Sequence, residues 1–376
     1  MRRFVTAALL AGLVPASALA QQTPAPAATP TASAPAATPA TPAAPAAAPA
    51  AARAPNPWAG SQLNVQTSAN GAFFDRSYVL SGESMSAADL SITLSPRYRL
   101  NRMFQLRASW NLYVELTNAD NTTTRLEPRF SDPSLDLWAT GLPALGNLRF
   151  ALAAGLVFPV SVESRANTLI LTPRVIGQAA WGVDALGGEF ALIGRVAYSH
   201  PFQQYTTAGV RGDFPYGRSC VTASGDCSNQ LRGSTNVHDQ LTWSVILAQT
   251  WGDWSPGVFF QMIHQWAYDI PNATLGTGAA DTHYRQSTYF AGWLDYNPVG
   301  WLTIEAGYQL QRSVLDGDGR YGNPFGNDYQ DWRVYLSANI VLDKFFEAFS
   351  GSGAAGGGVI RTQNTPRSPI LPFARF

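Results

Sequence analysis

The chain has 376 residues, and its 25 basic and 25 acidic side chains balance in formal charge. That balance removes the electrostatic case for a nucleic-acid partner, which requires a basic surface. Only 13 % of residues are charged while 12 % are aromatic, with Trp counted at 11, a composition closer to a membrane barrel with aromatic girdles than to an average soluble enzyme.

In chain order, Arg2 and Arg3 precede an apolar run from Phe4 to Val14, and Ala18-Leu19-Ala20 offers a small-residue cleavage site before Gln21. Residues 1–20 therefore read as a cleaved secretory signal peptide. No Cys follows the site, which argues against a lipoprotein anchor. Residues 21–57 are almost wholly Ala, Pro and Thr. Such a stretch has nothing to bury and reads as a disordered, semi-extended periplasmic linker. After the signal, no apolar run reaches the roughly 18 residues that a membrane-spanning helix needs.

From Trp58 onward the dominant signal has a period of two. Leu90, Ile92, Leu94, Pro96, Tyr98 and Leu100 alternate with Ser91, Thr93, Ser95, Arg97 and Arg99. After a turn at Asn101-Arg102, Phe104, Leu106, Ala108, Trp110, Leu112, Val114 and Leu116 alternate with Gln105, Arg107, Ser109, Asn111, Tyr113 and Glu115. Alternation puts an apolar ribbon on one face of each strand and a polar one on the other. Strands of about ten residues, tilted, are what cross a bilayer as β. The same pattern recurs through 135–158, 169–198, 241–266, 290–310 and 332–342. The expected fold is all-β: an antiparallel transmembrane barrel of about twelve strands over residues 58–343. A Gly/Pro-rich periplasmic tail over 344–376 is expected to follow.

The connections near 101, 143, 184, 252 and 298 are short. Those near 70–86, 117–130, 161–168, 201–238, 269–283 and 312–329 are long and polar. Short turns belong in the periplasm and long loops outside the cell. With that orientation, outward Tyr98, Trp181, Trp251, Trp254 and Tyr296 fall at the periplasmic rim. Phe158, Tyr198, Trp266, Tyr284 and Trp332 fall at the external rim, giving two aromatic girdles.

Candidate chemistry is sparse. Cys220 and Cys227 lie together in the longest loop of an exported chain and are expected to form a local disulfide. His200 and His238 flank that loop and read as rim imidazoles rather than metal ligands, and no metal or cofactor is expected. His264 lies on the lipid-facing parity, but Ile263-His264-Gln265-Trp266 puts no serine beside it, so an enzyme is not expected. Asp316-Gly317-Asp318-Gly319 opens like a calcium loop but continues with Arg320, and reads as a surface turn.

The inward parity carries a more specific signal. Arg97, Arg99, Arg107, Arg149, Arg174, Arg195, Arg285 and Arg333 share it with Glu115, Asp136, Glu189, Asp295 and Glu305. Counting from the turns puts Arg107, Arg174, Arg195, Asp136 and Glu305 near mid-depth, and these are the candidate lumen or solute-binding residues. Such charges either pair across the lumen to hold the wall together or line an aqueous path that favours anions. Tyr113, Trp138, Phe259, Tyr289, Trp293 and Tyr335 face the same way and suit a small organic solute.

Asp132-Pro133-Ser134-Leu135-Asp136-Leu137, followed after a short turn by Val157-Phe158-Pro159-Val160-Ser161, resembles the bacterial outer-membrane transporter-like family associated with meta-pathway phenol degradation. That resemblance implies uptake of small organic molecules, and no site residue is carried over from it. The expected function is passive uptake of small solutes, including small organic anions or aromatics, through an outer-membrane channel. Its expected partners are outer-membrane lipid, lipopolysaccharide and the assembly machinery. The alternative is a closed structural or adhesion barrel whose disulfide-braced external loops bind a partner.

Overall fold

The computed structural model describes residues 56–74, 86–117, 128–206, 219–220, 227–228, 235–268, 283–314, 321–325 and 332–350. The signal peptide and most of the linker lie outside the described residues, as do the Asp316 turn and residues 351–376.

Among the described residues, seventeen strand segments follow one another. The first nine are β1 (Gln62–Asn70), β2 (Ala88–Ser95), β3 (Arg97–Arg99), β4 (Phe104–Glu115), β5 (Pro128–Phe130), β6 (Ser134–Ala139), β7 (Leu148–Val157), β8 (Leu169–Ala185) and β9 (Gly188–Ser199). Then come the short β10 (Phe202–Gln203), β11 (Ser219–Cys220) and β12 (Cys227–Ser228), and finally β13 (Val237–Thr250), β14 (Trp254–Ala267), β15 (Tyr284–Val299), β16 (Leu302–Ser313) and β17 (Trp332–Val341). β11 and β12 form a separate two-stranded ribbon.

The others make twelve staves, because three staves are interrupted. Pro96 divides β2 from β3: it accepts from Ala108 N–H at 3.0 Å but has no N–H to return. Between β5 and β6 the chain bulges at Ser131, whose N–H reaches Asn111 O at 2.9 Å while its hydroxyl accepts from Asn111 N–H at 3.1 Å. A third break at Pro201 separates β9 from β10, both of which pair with β8. Every neighbouring pair is antiparallel, and β1 pairs with β17 from Gln62↔Val341 to Asn70↔Arg333. The sheet is thus a closed twelve-strand barrel with no free edge.

Its polarity is inverted relative to a water-soluble protein. Asn64, Gln66 and Ser68 of β1 and Asp89, Ser91 and Thr93 of β2 are buried inside. Outward Val196 and Leu336 are 51 % and 55 % exposed, against 2 % for inward Ile193 and 5 % for inward Trp138. Aromatic pairs ring the outer wall near both rims: Trp58–Tyr98 at 4.8 Å and Trp254–Tyr296 at 4.6 Å on the short-turn side, and Trp266–Tyr284 at 5.6 Å and Tyr308–Trp332 at 6.1 Å on the long-loop side.

Two features depart from the sequence reading. Residues 321–325 fold onto the outside of the wall, where Phe325 meets Phe260 and Phe290 and Asn323 O accepts from Arg312 Nη1 at 3.2 Å. Outward Leu310 is consequently buried. The last stave also ends at Val341 and gives way to a helix, Leu342–Phe349, across the expected boundary between barrel and tail. Leu342, Phe345, Phe346 and Phe349 share one helical face. Phe345 and Phe349 pack on Trp301 at 5.1 and 5.9 Å, and Asp343 Oδ1 accepts from Gly60 N–H at 3.1 Å. The helix thereby ties the chain's exit from the barrel to its entry.

Candidate functional site

Ladder register builds the lumen site row by row. One row runs Arg107, Asp136, Gly155, Arg174 across β4, β6, β7 and β8. The next runs Gln105, Trp138, Ala153, Ile176, Ala197 from β4 to β9. The third carries Ala151, Gln178 and Arg195. Gly155 stands directly between Asp136 and Arg174, and a Cβ there would lie 1.9 Å from Asp136 Oδ1. The missing side chain lets Arg174 reach across β7 and grip the carboxylate with both arms of its fork, Nε to Oδ1 at 2.8 Å and Nη2 to Oδ2 at 2.6 Å.

Trp138, in the next row, is a platform for two other arginines. The Arg107 guanidinium carbon lies 4.4 Å from its ring centroid and that of Arg195 5.9 Å away, so one π face system holds two like charges close together. Arg107 also donates from Nε to Gln105 Oε1 at 3.0 Å. Around the ring Ala153 and Ile176 are buried, and the half-buried Ala151 and Ala197 pack against them. Three guanidiniums therefore share one carboxylate.

Four of the five candidate lumen residues come together here. Glu305 does not, since β2, β1 and β17 stand between β4 and β16. Glu305 accepts instead from Tyr335 Oη at 2.6 Å and faces Asp295 in register. Tyr289 Oη donates to Gln309 Oε1 at 2.8 Å, and the wall beside it is apolar, with Ile193, Ile246, Phe259 and Ala291 packed together. Asp89 was not singled out from sequence, although it shares the inward parity of Ser91 and Thr93. It gathers Ser68 Oγ at 2.6 Å, Tyr113 Oη at 2.9 Å and the Arg333 guanidinium. Gly155 and the platform role of Trp138 were likewise missed, because both depend on which strands are neighbours.

At the long-loop rim the two flanking histidines converge on one carboxylate. His200 Nδ1 lies 2.7 Å from Asp239 Oδ1 and His238 Nδ1 2.6 Å from Oδ2, with the Tyr198 hydroxyl also on Oδ1. Among the described residues no group of three or more His, Cys, Asp or Glu could hold a metal ion. His264 on the outer wall meets Tyr284 Oη at 2.6 Å, Gln286 Nε2 at 3.0 Å and Trp243 Nε1 at 3.2 Å. Cys220 and Cys227 stand opposite each other in the β11–β12 ladder, and their side chains lie outside the described residues.

The two halves of the family-like motif are joined directly. Asp132 accepts from the backbone N–H groups of Val160 and Ser161 at 2.8 and 2.7 Å and from the Ser164 hydroxyl, while Ser161 caps the short helix Val162–Ala166. The pairing is structural: it pins the β7 exit loop to the start of β6.

By its fold the protein is a closed antiparallel barrel of the kind that crosses membranes with strands. No family model matches the chain, and no curated protein matches it. Solved structures similar to it include the NanC porin, at 13 % identity over 74 % of this chain and 98 % of that one, TM-score 0.39. An outer membrane channel from Pseudomonas putida F1 has 12 % identity over 78 % and 99 %, TM-score 0.42. Outer membrane phospholipase A from Escherichia coli has 10 % identity over 74 % and 92 %, TM-score 0.32. These likenesses concern barrel architecture alone, and no function follows from them.

Proposed function

We propose that this protein is an exported outer-membrane channel for passive diffusion of small solutes, with a lumen suited to small organic anions or aromatics. The observation that carries the reading is the inversion of polarity around a closed barrel. An apolar outer wall bounded by aromatic girdles has lipid as its natural solvent, and inner-wall charge beyond what pairs within the wall suits an aqueous path. The surplus of guanidinium over carboxylate around Trp138 supports a preference for anions. Lipopolysaccharide and lipid would contact the outer wall, the assembly machinery would insert it, and a Cys220–Cys227 disulfide would brace the external loop. The reading requires no cofactor and no catalysis. The surroundings of His264, which are Trp243, Tyr284 and Gln286, favour an interfacial anchor over a hydrolytic centre.

The test is planar-bilayer recording of the folded chain. Discrete conductance steps, with a reversal potential in a KCl gradient displaced toward the chloride potential, are expected. Folded protein that inserts without steps would sink the channel reading and leave the closed adhesion barrel standing.

A further inference from the structure

We infer that the Arg107–Trp138–Arg195 cluster is a binding site for a monocarboxylate borne on a flat apolar body. The inference rests on the channel reading above, because the ligand must arrive through the lumen.

Arg174 is neutralised by Asp136, so its charge is committed to the wall. Arg107 and Arg195 are not so committed. Arg107 spends only Nε on Gln105, and the Arg195 guanidinium donates to no acceptor among the described residues. Both are half-buried, where charge is costly, and Asp136, the carboxylate both of them feel, is already gripped by Arg174. The group they share is the Trp138 ring, which attracts cations but supplies no hydrogen-bond acceptor. A carboxylate placed between them would receive charge-assisted bonds from two forks of fixed geometry.

The floor decides the rest of the ligand. Beside the two guanidiniums the half-buried Ala151 and Ala197 lie over the buried Ala153 and Ile176, a shelf whose accessible methyl groups offer contact to hydrocarbon and nothing to a hydrated inorganic anion. Phosphate or acetate would satisfy the charges but gain nothing from the shelf. Benzoate satisfies both surfaces, in the manner of pockets that combine apolar lining with a few fixed polar groups.

Equilibrium dialysis of the folded full chain in detergent micelles, with benzoate, acetate and phosphate as probes, tests this. Benzoate is expected to saturate one site per barrel and to bind about ten times more tightly than acetate or phosphate, the equivalent of about 1.4 kcal/mol. Arg195→Gln and Arg107→Gln, each checked for folding by its strand circular dichroism, should each weaken benzoate at least about tenfold, the scale of a lost charge-assisted bond. Arg285→Gln, whose guanidinium contacts Thr235 near the rim, should leave binding unchanged. Benzoate binding no tighter than acetate, or unaffected by both central substitutions, overturns the inference. Conductance with no benzoate site removes the site and keeps the channel. A benzoate site without conductance removes the channel and keeps the site.

Discussion

The wall from β4 to β9 and the wall from β14 to β17 both seat large inward groups over a glycine of the neighbouring stave, yet the two walls use that space differently. On the first, Gly155 admits a carboxylate and the guanidinium that grips it. On the second, Gly257 lies under Trp293 and Gly307 under Tyr335, each directly opposite in register, and a Cβ added at either glycine would fall 2.3 and 2.5 Å from the respective ring. Side chains that would point at the lumen axis are laid flat along the wall instead. On the second wall the ring hydroxyls bond within the wall, Tyr335 to Glu305 and Tyr289 to Gln309. The first leaves Arg195 beside a π face with no acceptor among the described residues, and Arg107 over the same face with a single bond, to Gln105. The second wall lays its large groups flat and bonds their hydroxyls to itself, whereas the first retains guanidinium N–H groups that a solute can use.

That contrast can be broken or sharpened by substitution. The largest effect is expected from Gly155→Ala, whose Cβ would occupy the position of Asp136 Oδ1 at 1.9 Å. Separating a buried ion pair costs about 3–5 kcal/mol, and the urea midpoint of the barrel folded in vesicles should fall accordingly. An unchanged midpoint would mean that the pair does not hold the first wall. Gly307→Ala places its Cβ 2.5 Å from the Tyr335 ring and 2.7 Å from Gly292 O, so overpacking should cost about 1–3 kcal/mol in the same assay while ion preference stays as in the parent. Smallest is Tyr335→Phe, which removes one hydrogen bond to Glu305 and should cost about 1 kcal/mol. If Tyr335→Phe shifts the reversal potential as far as Arg195→Gln does, the division between a structural wall and a solute-facing wall is wrong.

Much of the molecule was legible in advance. Period-two alternation placed Arg107, Asp136, Arg174, Arg195 and Glu305 on the inner face, because side chains of a strand have only two directions. It also placed Tyr98, Trp254, Trp266 and Tyr284 on the outer wall. The helix at Leu342–Phe349 was available as a signal, since Leu342, Phe345, Phe346 and Phe349 have helical spacing, but its eight residues adjoin a strand whose apolar run masks the change of period.

Parity is a local property and survives without neighbours, so the sequence by itself determined which face each residue takes and that the faces are inverted for a membrane. Adjacency is not local. That Gly155 falls between Asp136 and Arg174, that Trp138 is shared by two arginines from strands far apart in the chain, and that Glu305 lies on another wall were decided by register and closure. These set which side chains meet across the hydrogen-bonded ladder, and only the tertiary structure assigns those partners.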